Sequence, residues 1–232
     1  MGTKPSRSAR NSNADLESAL ELLRNFQTIL IVDDSRSMRG ELWKQAGKAL
    51  QDLAAVASEF DADGLEIYFL NSPVFAKGVK SAEEVESVFN KVTPTSSTPI
   101  GRRLQSLLGP YLSALESNPD LKRVNYIIIT DGAPTDRAET DPELVIVNAA
   151  RELDSRHALL TQVGIQFLLI GNNTAARRYL ESLDDNLRTK YNIRDIVDTT
   201  YAPTDKPLDM IKILTGGINR RVDEHGSKGL RL

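Results

Sequence analysis

"TILIVDDSRSM", residues Thr28–Met38, sets an uninterrupted apolar run directly before two acids and two serines. A run with no polar alternation is the pattern of a strand covered on both faces, as in a parallel sheet between helix layers. Three later stretches repeat it: "LEIYFL" at 65–70, "VNYIIIT" at 124–130 and "IQFLLIG" at 165–171. A shorter run, "RDIVDT" at 194–199, reads as a further edge strand. "SPVFAKGV" at 72–79 follows a turn signal at Asn71-Ser72-Pro73 and reads as an antiparallel return of the second strand.

Helical periodicity fills the intervals. Leu42, Ala46, Ala49, Leu53, Val56 and Phe60 form one stripe through residues 39–60. Ser81 and Glu84 have capping-box spacing ahead of a helix to Asn90. Residues 100–117 are helical in pattern, with Gly109-Pro110 expected to kink or split them. Asp141-Pro142 suits the start of a helix reaching Arg156, and 174–187 and 207–214 supply two more. Alternating strands and helices predict a doubly wound α/β fold: a mostly parallel sheet of about six strands, helices on both faces and one antiparallel edge strand. One domain is expected over residues 14–219, with its core at 28–215, a disordered arm at 1–13 and a tail at 220–232.

With 232 residues, 40% hydrophobic and 26% charged, the chain has the composition of a globular protein able to bury a full core. A formal net charge of −3 gives no electrostatic reason to expect nucleic acid. No apolar run approaches the ~20 residues that span a bilayer, so a soluble, cytoplasmic protein is expected. "MGTKPS" at the N-terminus matches the pattern for N-myristoylation at Gly2, a pattern short enough to occur by chance. There are no cysteines, which removes disulfides, thiolate metal sites and thiol nucleophiles. The two histidines, His157 and His225, have no ligand spacing and read as surface residues. Any reactive centre must therefore use carboxylates, hydroxyls, Lys or Arg.

In a doubly wound sheet the ligand crevice lies outside the carboxyl ends of the strands, where strand order reverses. After 28–32 come Asp33, Asp34, Ser35, Arg36 and Ser37; after 124–130 come Asp131 and Gly132. The loop "TPTSSTPIG", before the 100–117 helix, adds Ser96, Ser97 and Thr98. Carboxylate and hydroxyl oxygens without imidazole or thiolate suit a hard divalent cation. Two carboxylates supplemented by weak, neutral hydroxyl ligands leave such an ion able to accept an anionic ligand from another molecule. Each residue alone has an ordinary explanation, since a serine caps a helix and Asp-Gly makes a turn. Their joint occurrence in this order points instead to a metal.

These residues resemble the von Willebrand factor A (VWA) domain and its metal-ion-dependent adhesion site. That family carries Asp-x-Ser-x-Ser after its first strand, a Thr in a middle loop and an Asp, often within Thr-Asp-Gly, after its fourth strand. The matching positions are Asp33, Ser35, Ser37, Thr98 and Asp131. The resemblance implies that Ser35, Ser37 and Thr98 ligate the ion through hydroxyls, with Asp33 and Asp131 acting directly or through water. It implies Mg²⁺, or Mn²⁺ or Ca²⁺, and a protein partner that completes the coordination with a Glu or Asp, without catalysis. Arg36, Pro99 and Arg102 are expected at the partner-binding rim. Arg36 stands where the family commonly has Gly, and its cation either favours acidic partners or shields the site.

Two phosphate chemistries begin similarly. A receiver domain also opens "ILIVDD", but needs a phospho-acceptor Asp at the tip of a later strand nearby, and "LEIYFL" ends in Asn71-Ser72-Pro73. A haloacid-dehalogenase-like phosphatase needs a second Asp two residues after the nucleophile, and Ser35 stands there. Under the metal interpretation Asp34 is incidental, a loop carboxylate turned away from its neighbour. Trp43 is expected to pack rather than to recognise a ligand.

Overall fold

Residues 28–32 become β1 (Phe26–Val32), the inner strand beside which the chain reverses its direction of growth across the sheet. The computed structural model describes residues 19–203 and 206–219. The N-terminal arm with Gly2, residues 15–18, the tail at 220–232 and His225 lie outside the described residues. The other strands are β2 (Leu65–Phe69), β3 (Phe75–Val79), β4 (Arg123–Thr130), β5 (Val163–Leu169) and β6 (Val197–Tyr201). They form one sheet in the order β3-β2-β1-β4-β5-β6, and β2–β3 is the antiparallel pair. The remaining neighbours are parallel. The doubly wound α/β reading holds.

The helices are α1 (Glu41–Ala57), α2 (Ala82–Phe89), α3 (Ile100–Ser117), α4 (Pro142–Ser155), α5 (Thr174–Asp185), α6 (Leu187–Tyr191) and α7 (Met210–Thr215). Alternate residues of the central strands feed two cores. Leu30, Val32, Ile127 and Ile129 pack with side chains of α1, α2 and α7. Ile29, Ile31, Tyr126 and Ile128 pack with α3, α4 and α5 on the opposite face. Burying each large aliphatic side chain contributes about 1.5–3 kcal/mol, so two covered faces are why these strands carry no polar alternation. Trp43 belongs to the first layer, its ring centroid 4.6 Å from that of Phe89 and 6.0 Å from that of Phe69. It packs, as its position in an amphipathic helix suggests.

The local signals hold with two corrections. Ser81 and Glu84 form a complete capping box, and the Asp141 carboxylate accepts the Glu143 N–H at 2.9 Å. Gly109-Pro110, however, does not split α3, which runs unbroken through Pro110. Both residues are exposed, so water can take the hydrogen bond that the proline cannot donate. The last strand also begins later than 194–199. Arg194 is tied to Asp154 and to the carbonyls of Ala158 and Leu159, and residue pairing with β5 starts only at Val197. His157 is exposed.

Two glycines shape the entry into the helices. Gly40 adopts φ +80°, a conformation that costs other residues strain, and turns the chain from the β1 loop into α1. Gly101 lies in the first turn of α3, where a Cβ would sit 1.9 Å from the Thr140 carbonyl oxygen and 2.7 Å from Pro142 N. Only glycine lets α3 lie this close to the start of α4. Gly101→Ala is therefore expected to cost about 3 kcal/mol by overpacking, seen as a lower urea midpoint with an unchanged slope.

A group of acids faces α7 at the far edge of the sheet. Asp198 is buried on β6, with Lys212 Nζ 3.2 Å from its Oδ1. Burial, and then the like charges of Asp198 and Asp185, push Asp184 up to about 7. An acid whose pKa is higher folded than unfolded loses its stabilising proton as pH rises between about 4 and 7. Asp184→Asn should therefore be more stable than wild type at pH 8, with the advantage shrinking at pH 5. Urea titrations of both proteins at the two pH values measure the difference.

Candidate functional site

Strand order reverses between β1 and β4, so their carboxyl ends flank the crevice left by helices departing to opposite faces. The Asp33 N–H donates to the Ile129 carbonyl at 2.8 Å, extending the β1–β4 pairing to the first acid. The chain then makes a short 3₁₀ turn at Arg36–Met38. It is fixed at one end by β1 and at the other by Met38, which is fully buried in the α1 layer. Within this turn the Ser35 N–H donates to Asp33 Oδ1 at 2.8 Å.

Four of the five proposed ligands are linked by hydrogen bonds. Ser35 Oγ and Ser37 Oγ are 3.0 Å apart, and Ser37 Oγ donates to Asp131 Oδ1 at 2.9 Å, joining residues 94 positions apart. On the other side of Asp33, Thr130 Oγ1 donates to Oδ2 at 2.6 Å. Thr98 is buried and belongs to the same crevice, its Oγ1 3.8 Å from where a Cβ of Gly132 would lie. Its hydroxyl bonds to none of the other four. The loop that carries it is held by its backbone: Arg36 N–H donates to the Ser96 carbonyl at 3.2 Å, and Thr98 N–H to Thr135 Oγ1 at 2.9 Å. The Thr135 N–H returns to the Thr98 carbonyl at 3.0 Å.

Asp33 and Asp131 are buried and in no ion pair among the described residues. Burial pushes Asp33 up to about 6; hydrogen bonds from Thr130 and Ser35 oppose this, and the like charge of Asp131 adds to it. Burial also raises Asp131, opposed by the hydrogen bond from Ser37. Two like-charged carboxylates, desolvated among hydroxyls and lacking a cationic side chain, form a donor set that fits a hard divalent cation. Among the described residues no three His, Cys, Asp or Glu side chains converge on a common point. The fit thus rests on two carboxylates supplemented by hydroxyls.

Asp34 is not incidental. It is 1% exposed, and its Oδ1 accepts the Asn71 N–H at 2.8 Å and Asn71 Nδ2 at 3.0 Å. Its Oδ2 accepts the Ser72 N–H at 2.8 Å, and its carbonyl the Thr95 N–H at 2.7 Å. Asn71 Nδ2 also donates to the Ser97 carbonyl at 2.9 Å. Asp34 therefore fastens both the loop after β2 and the loop carrying Thr98. It does turn away from Asp33, as expected, but toward structural work. Asp136, also unforeseen, takes the N–H groups of Gly101 and Arg102 at 3.0 and 2.8 Å and so closes the N-terminus of α3.

At the expected rim, Arg36 and Arg102 are exposed, whereas Pro99 is largely buried at the entry to α3 and lines the groove beside the site. Thr135, Asp136 and Arg137 join the rim from the loop after β4. "TDGAPTD" makes their proximity to Asp131 legible, but no sequence signal places them against Thr98.

Compared with protein-family models and with curated proteins, the chain matches none. The resemblance to the VWA domain thus rests on the motif residues alone.

Asp34→Ala would strand two part-buried N–H groups and free Asn71. A loss of about 3 kcal/mol is expected from chemical denaturation, with faster amide exchange confined at first to residues 71–73 and 95–98.

Proposed function

We propose that this chain is a VWA-type, divalent-cation-dependent protein-binding domain that works without catalysis. The observation that carries the proposal is the hydrogen-bonded line Ser35–Ser37–Asp131 beside Asp33: two uncompensated buried carboxylates and two hydroxyls at the sheet's switch point. Asp33, Ser35, Ser37, Thr98 and Asp131 would hold the ion, with Mg²⁺ favoured and Mn²⁺ or Ca²⁺ acceptable to the same oxygens. When bound, the ion supplies positive charge and a coordination position for a Glu or Asp of a partner protein. The chain's own residues arrange the oxygens. Thr130 fixes Asp33, the turn through Met38 presents Ser35 and Ser37, and Thr135 with Asn71 secures the Thr98 loop.

A hydrolytic use is disfavoured by the residues present. Ser35 occupies the place of a phosphatase's general acid, and the carboxylate of Asp34 is committed to Asn71 and Ser72. No histidine lies among the neighbouring loops. Among the described residues no helix is long and apolar enough to cross a membrane.

Thermal unfolding in chelator and in millimolar Mg²⁺, Mn²⁺ or Ca²⁺ tests the proposal. Binding at a hundred times the dissociation constant stabilises by about 2.7 kcal/mol, or several degrees in Tm for a chain of this size. The shift should vanish in Asp131→Ala. Identical melting curves of the wild type with and without metal would sink the proposal.

A further inference from the structure

We infer that the partner segment is acidic over more than one residue: one carboxylate goes to the ion, and a second is gripped by Arg102 and Arg137. This rests on the metal-dependent function proposed above. A groove of about 640 Å³ opens beside the candidate site, lined by Ser97, Pro99 and Arg102 on one bank and by Thr135, Asp136 and Arg137 on the other. It starts at Thr98, because the pair of hydrogen bonds between Thr98 and Thr135 forms its inner end. A chain whose acidic side chain reaches the Thr98 crevice therefore has this groove as its continuation.

The groove's chemistry selects a carboxylate. Arg102 and Arg137 are exposed and have no ion-pair partner among the described residues, which leaves both guanidinium groups available to a ligand in the groove. Of the acids in the groove, Asp136 is spent on the N–H groups of Gly101 and Arg102 and cannot also neutralise a guanidinium fully. Glu139 is exposed, forms no ion pair among the described residues and would repel an acidic ligand. Two planar guanidinium forks lining one polar channel match the two oxygens of a carboxylate. Arg36, exposed and bonded through its N–H to the Ser96 carbonyl at 3.2 Å, adds a further cation beside the loop that carries Thr98.

The test uses the full chain in saturating Mg²⁺ and three blocked glycine-rich peptides. One carries a single glutamate, one carries two glutamates, and one has phosphoserine in place of the second glutamate. A calorimetric Mg²⁺ titration of the wild type, run first, reports on metal binding alone; its failure overturns the proposed function rather than the groove. With metal bound, the two-glutamate peptide should bind about ten-fold more tightly than the single-glutamate peptide, the equivalent of one charge-assisted pair. The Arg102→Gln/Arg137→Gln variant should lose that difference while keeping the weak affinity for one glutamate, and Glu139→Gln should strengthen the two-glutamate peptide. Equal binding of the first two peptides, or an undiminished preference in the double variant, overturns the inference. So does a preference for phosphoserine over the second glutamate that exceeds ten-fold, which would make the partner a phosphopeptide.

Discussion

Everything at the crevice depends on β1 and β4 being neighbours. The strand order reverses between them, so the chain leaves β1 toward one face of the sheet and leaves β4 toward the other. No crossover covers the gap. Two strand tips are thereby held a few ångströms apart by parallel pairing, and whatever follows each strand is delivered to the same place. Asp33 and Asp131 occupy those two tips. Their proximity is a property of the sheet, with the intervening residues free to build α1, α2 and α3. The crevice inherits the rigidity of the best-packed strands, a good platform for ligands that must not move when a partner arrives.

The adjacent acids Asp33 and Asp34 illustrate how a strand end divides labour. Successive side chains of an extended chain point to opposite sides, so the two carboxylates cannot serve one site. Asp33 turns toward β4, where Thr130 and the Ser35 N–H meet it. Asp34 turns toward β2, where Asn71 and Ser72 meet it. Burying a carboxylate costs several kcal/mol unless its lone pairs are satisfied. Asp34 is satisfied within the chain by three N–H donors. Asp33 accepts only the Ser35 N–H and the Thr130 hydroxyl, and the like charge of Asp131 adds to the burial that raises it. That imbalance between two neighbouring, equally buried acids distinguishes a scaffold residue from one held ready for a cation.

Much of this was legible in the residues because it follows from local chemistry. Continuous aliphatic runs require two covered faces, and Ser81 with Glu84, or Asp141 with Pro142, announce helix starts through backbone N–H groups that lie nearby. Positions of Asp33, Ser35, Ser37 and Asp131 follow from strand ends. What escaped notice depends on contacts distant in sequence. Asp34 looks idle until the loop after β2 arrives beside it, and Asp136 looks like a turn residue until α3 presents its N-terminus. Pro99 neighbours Thr98 in sequence, but only the packing at the entry to α3 decides how little of it is exposed. Gly109-Pro110 suggests a kink or a split because propensity weighs the lost hydrogen bond; the split does not occur, since at an exposed position water can donate to the carbonyl left unpaired.

The charges around the crevice carry one more consequence. Arg36, Arg39 and Arg137 on the loops after β1 and β4, with Arg102 and Arg103 in the first turn of α3, stand among Asp33, Asp34, Asp131, Asp136, Glu139 and Asp141. Five bases and six acids leave the face close to neutral, so it has no strong field of its own to draw in an acidic partner. A divalent cation bound among Asp33 and Asp131 would tip that balance to positive. Over the roughly 8–10 Å that survives screening in physiological salt, the change reaches Arg102 and Arg137 at the groove. Metal dependence would then have two origins, a coordination position for one carboxylate and a field that favours the next. The near-neutral face without metal is what makes the second origin sizeable, because a face already rich in positive charge would attract acidic segments with or without the ion.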